Sequence, residues 1–317
     1  MKKKIIAVIV ISLLVTGSTC FFIPKKLKIS SALTFQSNAE GVARYLIVDS
    51  NWRKWWPGEI VTSNNGETLF QYNNYEFKII KPLHHAFELG LIKKSEPGKR
   101  YGSTLKIIAL EKDSIGLELD TELETGLSPL YKIYTYYQAR KIKKCFDDIL
   151  EALQKHTDSV KKIYGFDIKN EKVQMQHLVS TYKMFNHYPS TQDVYLIIAG
   201  LRAYISKQNG KEEFYPMLNI ETTDSITYNV RIGLPVNKKL PEKGDISSKM
   251  MVKNGNILFT EVKGDANAIN TAIKQMEKYI SDYQRSIIAI PFQSLITDRS
   301  KEQDSTKWIT KIYYPVV

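Results

Sequence analysis

The chain has two cysteines in 317 residues, and that scarcity removes whole classes of explanation. Cys20 lies in an apolar leader and Cys145 in a stretch with helical periodicity, so a disulfide within the rest of the chain has no partner and no cysteine-based zinc spacing exists. Histidine is nearly as scarce. His84, His85, His156, His177 and His187 are dispersed, with no cysteine or carboxylate frame around them in the sequence, which predicts no metal ligand set. The G-x-S-x-G turn, the phosphate-binding glycine loop and the H-E-x-x-H helix are all missing, so the sequence shows no nucleophile–base pair. Acidic charge is in deficit: 45 Lys and Arg against 33 Asp and Glu leave a net charge of +12. The excess is scattered lysine rather than one patch, which argues against a nucleic-acid partner.

What is present is ordinary folded-protein composition, 43% hydrophobic and 25% charged, with length for two or three domains. One long run, residues 5–24, carries no charge and is flanked by Lys2, Lys3 and Lys4 before it and Lys25, Lys26 and Lys28 after it. As a helix it would cover about 30 Å, enough to cross a bilayer. A cleaved signal peptide and a lipoprotein signal are the alternatives. Thr19 before Cys20 is bulkier than lipid processing prefers, and no clean small-x-small site precedes the lysines. The expectation is therefore an uncleaved anchor over residues 1–28. The short basic tail would stay inside, giving a single-pass protein of the cell membrane with its bulk extracytoplasmic.

Residues 29–165 read as a strand near 29–35, a short helix capped by Ser37 or Asn38, and then the turn Trp52-Arg53-Lys54-Trp55-Trp56-Pro57-Gly58. Short β-rich runs follow at 68–72, 75–80, 85–92, 103–111 and 114–122, separated by turn signals that include Pro97-Gly98. Ser128-Pro129 opens a long helix whose Ile142, Phe146, Ile149 and Leu153 form one apolar stripe. The paired cations Arg140-Lys141 and Lys143-Lys144 lie opposite that stripe. This order, and the stretch SNAEGVARYLIVDSNWRKWWPG in particular, resembles the START-like, polyketide-cyclase-like (SRPBCC) superfamily. The resemblance implies a helix-grip fold, a curved antiparallel sheet around the closing helix with an apolar cavity between them. On it, Trp52, Trp55 and Trp56 either pack the turn or gate that cavity.

Residues 170–317 read as one unit written twice, copies 173–236 and 246–317. An offset of 75 lays Ser190 on Asp265, Tyr204-Ile205-Ser206 on Tyr279-Ile280-Ser281, and Pro216 on Pro291; an offset of 80 lays Pro235-Val236 on Pro315-Val316. Each copy reads strand, helix, strand, strand, with residues 237–245 as the joint. Strand parity puts Tyr228, Val230, Ile232 and Leu234 on one face and Asn229, Arg231 and Gly233 on the other. In copy two, Trp308, Thr310, Ile312 and Tyr314 match the first set, and Ile309, Lys311 and Tyr313 the second. The tandem with its RIGLPV and KIYYPV endings resembles the gyrase-inhibitor-like, bacterial effector-binding family. That resemblance implies a groove between the copies for small hydrophobic or cationic molecules. The family commonly has glutamate four residues before the closing proline. Arg231 and Lys311 stand there instead, which favours a neutral or acidic amphiphile.

The sequence thus predicts an α+β protein with three parts: a transmembrane helix, a helix-grip domain over 29–165 and a duplicated β-α-β-β domain over 170–317. Its expected role is a membrane-anchored, non-catalytic binding protein for hydrophobic or amphiphilic small molecules, without a cofactor. Ligand contacts are expected at Arg231, Lys311, Tyr313, Asn229, Trp52, Trp55 and Trp56. A cyclase-, dehydratase- or hydrolase-like enzyme and an interaction protein with filled cavities are the alternatives.

Overall fold

Alternating apolar residues and a tryptophan-rich turn build the first half of the chain. The computed structural model describes residues 11, 18, 23–63, 65–111, 113–222 and 226–317. The chain divides into two compact units, Met1–Ile163 and Tyr164–Val317.

In the first unit β1 (Lys26–Gln36) leads into α1 (Ala39–Ile47). Asn38 caps that helix, its side-chain oxygen accepting from the Gly41 N–H at 2.9 Å. A single turn, α2 (Asp49–Trp52), follows. Next come β2 (Glu59–Thr62), β3 (Thr68–Tyr72), β4 (Tyr75–Pro82), β5 (Ala86–Lys93), β6 (Glu96–Ala109) and β7 (Ser114–Glu124). All seven strands form one antiparallel sheet in the order β1-β7-β6-β5-β4-β3-β2. The long helix α3 (Pro129–Thr157) lies across β1 and β7 and buries Ile142, Phe146, Ile149 and Leu153, while its paired cations stay exposed. Pro97-Gly98 does not end a strand as expected. It sits at the start of β6, beside a register irregularity at Ile92/Lys93 where the ladder loses nothing to a missing N–H.

The tryptophan turn fills this core. Trp52, Trp55 and Trp56 are buried, and their rings meet one another tilted or edge-on, with centroids 5.0 to 6.3 Å apart, and meet Phe70, Phe77 and Phe87 in the same way. The Trp52 indole donates to the Leu46 carbonyl at 2.8 Å and that of Trp56 to the Gln71 carbonyl at 3.0 Å. Gly58 lets the turn close, because a Cβ there would lie 1.9 Å from the Gln71 oxygen.

After α4 (Val160–Tyr164), the second unit contains β8 (Lys169–Lys172), β9 (His177–Phe185), α5 (Thr191–Lys207), β10 (Met217–Thr222) and β11 (Tyr228–Val236). β12 (Ser247–Met250), β13 (Asn256–Lys263), α6 (Ala266–Asp282), β14 (Phe292–Leu295) and β15 (Ile309–Pro315) complete it. Its single sheet runs β12-β9-β11-β10-β14-β15-β13-β8. The centre of that order is palindromic: β9-β11-β10 from the first copy meets β14-β15-β13 from the second, joined through β10 and β14. The two helices share one length and both ends are offset by 75 residues. Each starts on a side-chain cap, Ser190 in a capping box with Asp193 and Asp265 on the Ala268 N–H. Asn209, at φ 48°, follows the end of α5. Residues 237–245 join the copies, and β12 then adds to the free edge of β9.

Two expectations are corrected. The expected fold class gives way to a largely antiparallel-sheet protein, with sheets of seven and eight strands and six α-helices among the described residues. The expected transmembrane helix and single-pass membrane location are not supported: among the described residues no helix is long and apolar enough to cross a membrane. The longest, α3 at 29 residues, carries Lys132, Arg140, Lys141, Lys143, Lys144, Asp147 and Asp148, too many charges for a span. The run 5–24 falls outside the described residues except for Ile11, Ser18, Ile23 and Pro24.

Candidate functional site

Period-two alternation gives the second sheet two unlike faces. Val230, Ile232 and Leu234 of β11 and Leu218 of β10 form a core with Val194, Ile197, Ile198, Leu201 and Ile205 of α5. The intervening residues point to the opposite, helix-free face. Cross-strand register decides what that face looks like. In copy one Ser180, Gly233 and Met217 stand side by side across β9, β11 and β10. In copy two the corresponding row across β13, β15 and β14 is Phe259, Tyr313 and Phe292. The three copy-two rings stack, Tyr313 lying 5.7 Å from Phe259 and 5.1 Å from Phe292, nearly parallel to both. Ser180 and Gly233 leave space where the stacked rings of copy two occupy it. Over copy one lies a cleft of about 540 Å³, and beside the copy-two rings a cavity of about 210 Å³.

The larger cleft has apolar walls from Leu178, Met217, Met250, Met251, Ile290 and Phe292. Its polar groups are few. Arg231 stacks over the Tyr182 ring at 5.3 Å, and its nearest carboxylate is that of Glu221 at 4.0 Å, with both partners substantially exposed. Tyr182 donates to the Asn229 side-chain oxygen at 2.6 Å. Asn219 donates to the Pro291 carbonyl at 3.0 Å, while its own side-chain oxygen is shielded from solvent and accepts no hydrogen bond. An unpartnered buried acceptor of this kind costs about 1–3 kcal/mol. Among the charged residues of the wall, Arg231 and Lys249 outnumber Asp245.

The expected contact residues therefore separate. Arg231 lines the 540 Å³ cleft, whereas Lys311 and Tyr313 line the 210 Å³ cavity. Lys311 lies over the Phe259 ring at 5.2 Å, paired across the ladder with Glu261. Burial pushes the Tyr313 hydroxyl up to about 12, with Glu171 and Glu261 adding to the rise, so it stays protonated at neutral pH. Asn229 is engaged by Tyr182 at the margin. Trp52, Trp55 and Trp56 belong to the core of the first unit. There the gap between sheet and α3, bounded by Tyr75, Leu91, Tyr101 and Ile142, is about 30 Å³, room for water and not for a ligand. Cys145 is buried in the same core, and desolvation lifts its thiol to about 12, leaving it unreactive.

Three features escaped sequence reasoning. Ser247, Lys249 and Met250 of β12 form part of the cleft wall, although that polar strand has no alternation to announce it. On the helix side of the same sheet a cavity of about 240 Å³ holds Arg299, whose guanidinium stacks over Trp308 at 4.7 Å and donates to Thr310 Oγ1 at 2.8 Å. Burial lowers the pKa of that guanidinium from its ordinary value. In the first unit Glu40 comes within reach of His84 and His85. Asp298, near the last hairpin of copy two, accepts from the Ser300 hydroxyl at 2.6 Å, which holds its carboxyl below the usual range.

No family model matches the chain, and no curated protein matches it. Among solved structures it is similar to EcmrR in a DNA complex (TM-score 0.43, 16% identity, over 59% of this chain and 70% of that one). It is also similar to the EcmrR C-terminal domain (TM-score 0.41, 15% identity, 48% and 98%). A third is SAV2435 bound to tetraphenylphosphonium (TM-score 0.31, 15% identity, 47% and 93%).

Proposed function

We propose that the second unit is a non-catalytic binding module that takes a hydrophobic or amphiphilic small molecule, neutral or anionic, into the cleft over copy one. The observation that carries this reading is the pair of small residues Ser180 and Gly233, side by side where copy two has Phe259 and Tyr313, under a cleft of about 540 Å³ with apolar walls. That volume lies within the range of small-molecule sites, about 300–1,000 Å³. Apolar walls supply the affinity. The Arg231 guanidinium supplies a directed contact for an acid. SAV2435 holds a hydrophobic cation. In this chain the excess of Arg231 and Lys249 over Asp245 favours the opposite sign.

The test is a titration of matched cationic and anionic hydrophobic dyes against the protein and its Arg231→Glu variant. The anionic dye is expected to bind the unmutated protein more tightly. In the variant its affinity should fall by about tenfold, equivalent to about 1.4 kcal/mol, while that of the cationic dye rises. Tighter binding of the cationic dye by the unmutated protein would overturn the ligand class.

A further inference from the structure

Away from the cleft, the first unit gathers three side chains with metal-ligating atoms. Glu40 stands in the first turn of α1. His84 and His85 occupy the hairpin tip between β4 and β5, and that tip is held by backbone hydrogen bonds: the Leu83 N–H donates to the Ala86 carbonyl at 2.7 Å, and the Ile107 N–H of β6 to the His85 carbonyl at 2.8 Å. Both imidazoles aim the same nitrogen at the one carboxylate. His84 Nε2 lies 3.4 Å from Glu40 Oε2, and His85 Nε2 lies 3.1 Å from Glu40 Oε1. The two rings stack with centroids 4.3 Å apart, and one ligand atom from each of the three residues lies within 4.8 Å of the others.

An ion pair explains this arrangement poorly. Two imidazolium rings stacked so closely would repel one another, and one carboxylate cannot neutralise both. With neutral rings, His85 Nε2 is shielded from solvent and makes no hydrogen bond, since its approach to Glu40 lies off the bonding direction. A divalent cation answers both difficulties by accepting a lone pair from each Nε2 and one from the carboxylate. Tetrahedral zinc with bonds of about 2.0–2.1 Å sets its ligand atoms about 3.3 Å apart; each Nε2 lies near that distance from a different oxygen of Glu40, and one ligand atom of each residue already lies within 4.8 Å of the others. We propose that Glu40, His84 and His85 form a binding site for one divalent transition-metal ion, zinc in the first instance, with a fourth position open to water. Imidazole and carboxylate ligands suit zinc, copper or nickel over calcium or magnesium. His84 is largely exposed, at 76% of its side chain, so an ion can enter without rearrangement of the core. Once bound, it ties the start of α1 to the β4–β5 hairpin.

The experiment is calorimetric titration of zinc chloride into the untagged full chain after chelator treatment, alongside His84→Ala, His85→Ala, Glu40→Gln and His187→Ala. One zinc per chain is expected. The first three substitutions should each weaken binding by about tenfold or more, and His187→Ala should leave it unchanged. Zinc should also raise the melting temperature of the unmutated protein and not that of the His84→Ala/His85→Ala double variant. His84→Ala is the decisive single change, because so exposed a side chain can be removed without harm to folding. Failure of the unmutated protein to bind one zinc, or one-to-one binding that survives in the double variant, overturns the proposal.

Discussion

The two halves of the second sheet have helices of one length at a constant offset, yet one half is the more open, with a cleft of about 540 Å³, and the other the more filled, with a cavity of about 210 Å³. Their helix-facing residues solve the same problem: Val230, Ile232 and Leu234 in copy one and Ile312 and Tyr314 in copy two all go under a helix. The difference lies one residue over, on the alternate face. Copy one places Ser180, Gly233 and Met217 where copy two places Phe259, Tyr313 and Phe292. A strand's period of two thus separates the residues that hold the fold from those that shape the cleft, so the second set can differ without disturbing the first.

Exchanging residues between the halves breaks this comparison most severely on the filled side. Phe259 is buried against Tyr313, and Phe259→Ala should cost about 3–5 kcal/mol, read as a lowered midpoint in chemical denaturation. A cost under about 1 kcal/mol would mean that the ring stack does not support copy two.

The reverse exchange should leave stability almost unchanged and remove binding. Ser180→Phe gives copy one the bulk found in copy two and fills the cleft floor. Affinity for the anionic dye is expected to fall at least tenfold, about 1.4 kcal/mol, with little change in the melting temperature. Unaltered dye affinity would place the ligand elsewhere.

A smaller effect separates the first unit from the second. His156 accepts or donates a hydrogen bond with the Tyr45 hydroxyl at 2.7 Å, and burial, aided by Lys162 and Lys54, lowers its pKa below the ordinary imidazole value. The unfolded chain therefore binds a proton that the folded chain resists. Stability from this group is present above the unfolded pKa of about 6.5 and is lost as pH falls from there toward the lower folded value. His156→Gln should flatten the decline of melting temperature between pH 7.5 and 5.5. An equal slope in both proteins would show that another group is responsible.

Much of this fold is legible in residue order. Ser190 and Asp265, 75 residues apart, both cap helices, and the apolar parity of β11 shows which face goes inward. The rest depends on information that no single stretch carries. β8 (KNEK) and β12 (SSKM) are polar edge strands whose only signal is the neighbour they join. The cleft itself is a matter of register, because Ser180 and Gly233 are unremarkable until they stand side by side. Glu40 and the histidine pair are separated by 44 positions in the chain and meet only through the tertiary fold. Three tryptophans in a turn can pack it or gate a cavity, and sequence alone does not give their burial; here they are 1%, 5% and 7% exposed.

The most direct measurement of the central claim is native mass spectrometry of the full chain purified from cells, beside its Ser180→Phe variant. The account predicts a small hydrophobic or amphiphilic molecule retained by the unmutated protein and missing from the variant. The bare protein mass in both, or the same adduct in both, would contradict it.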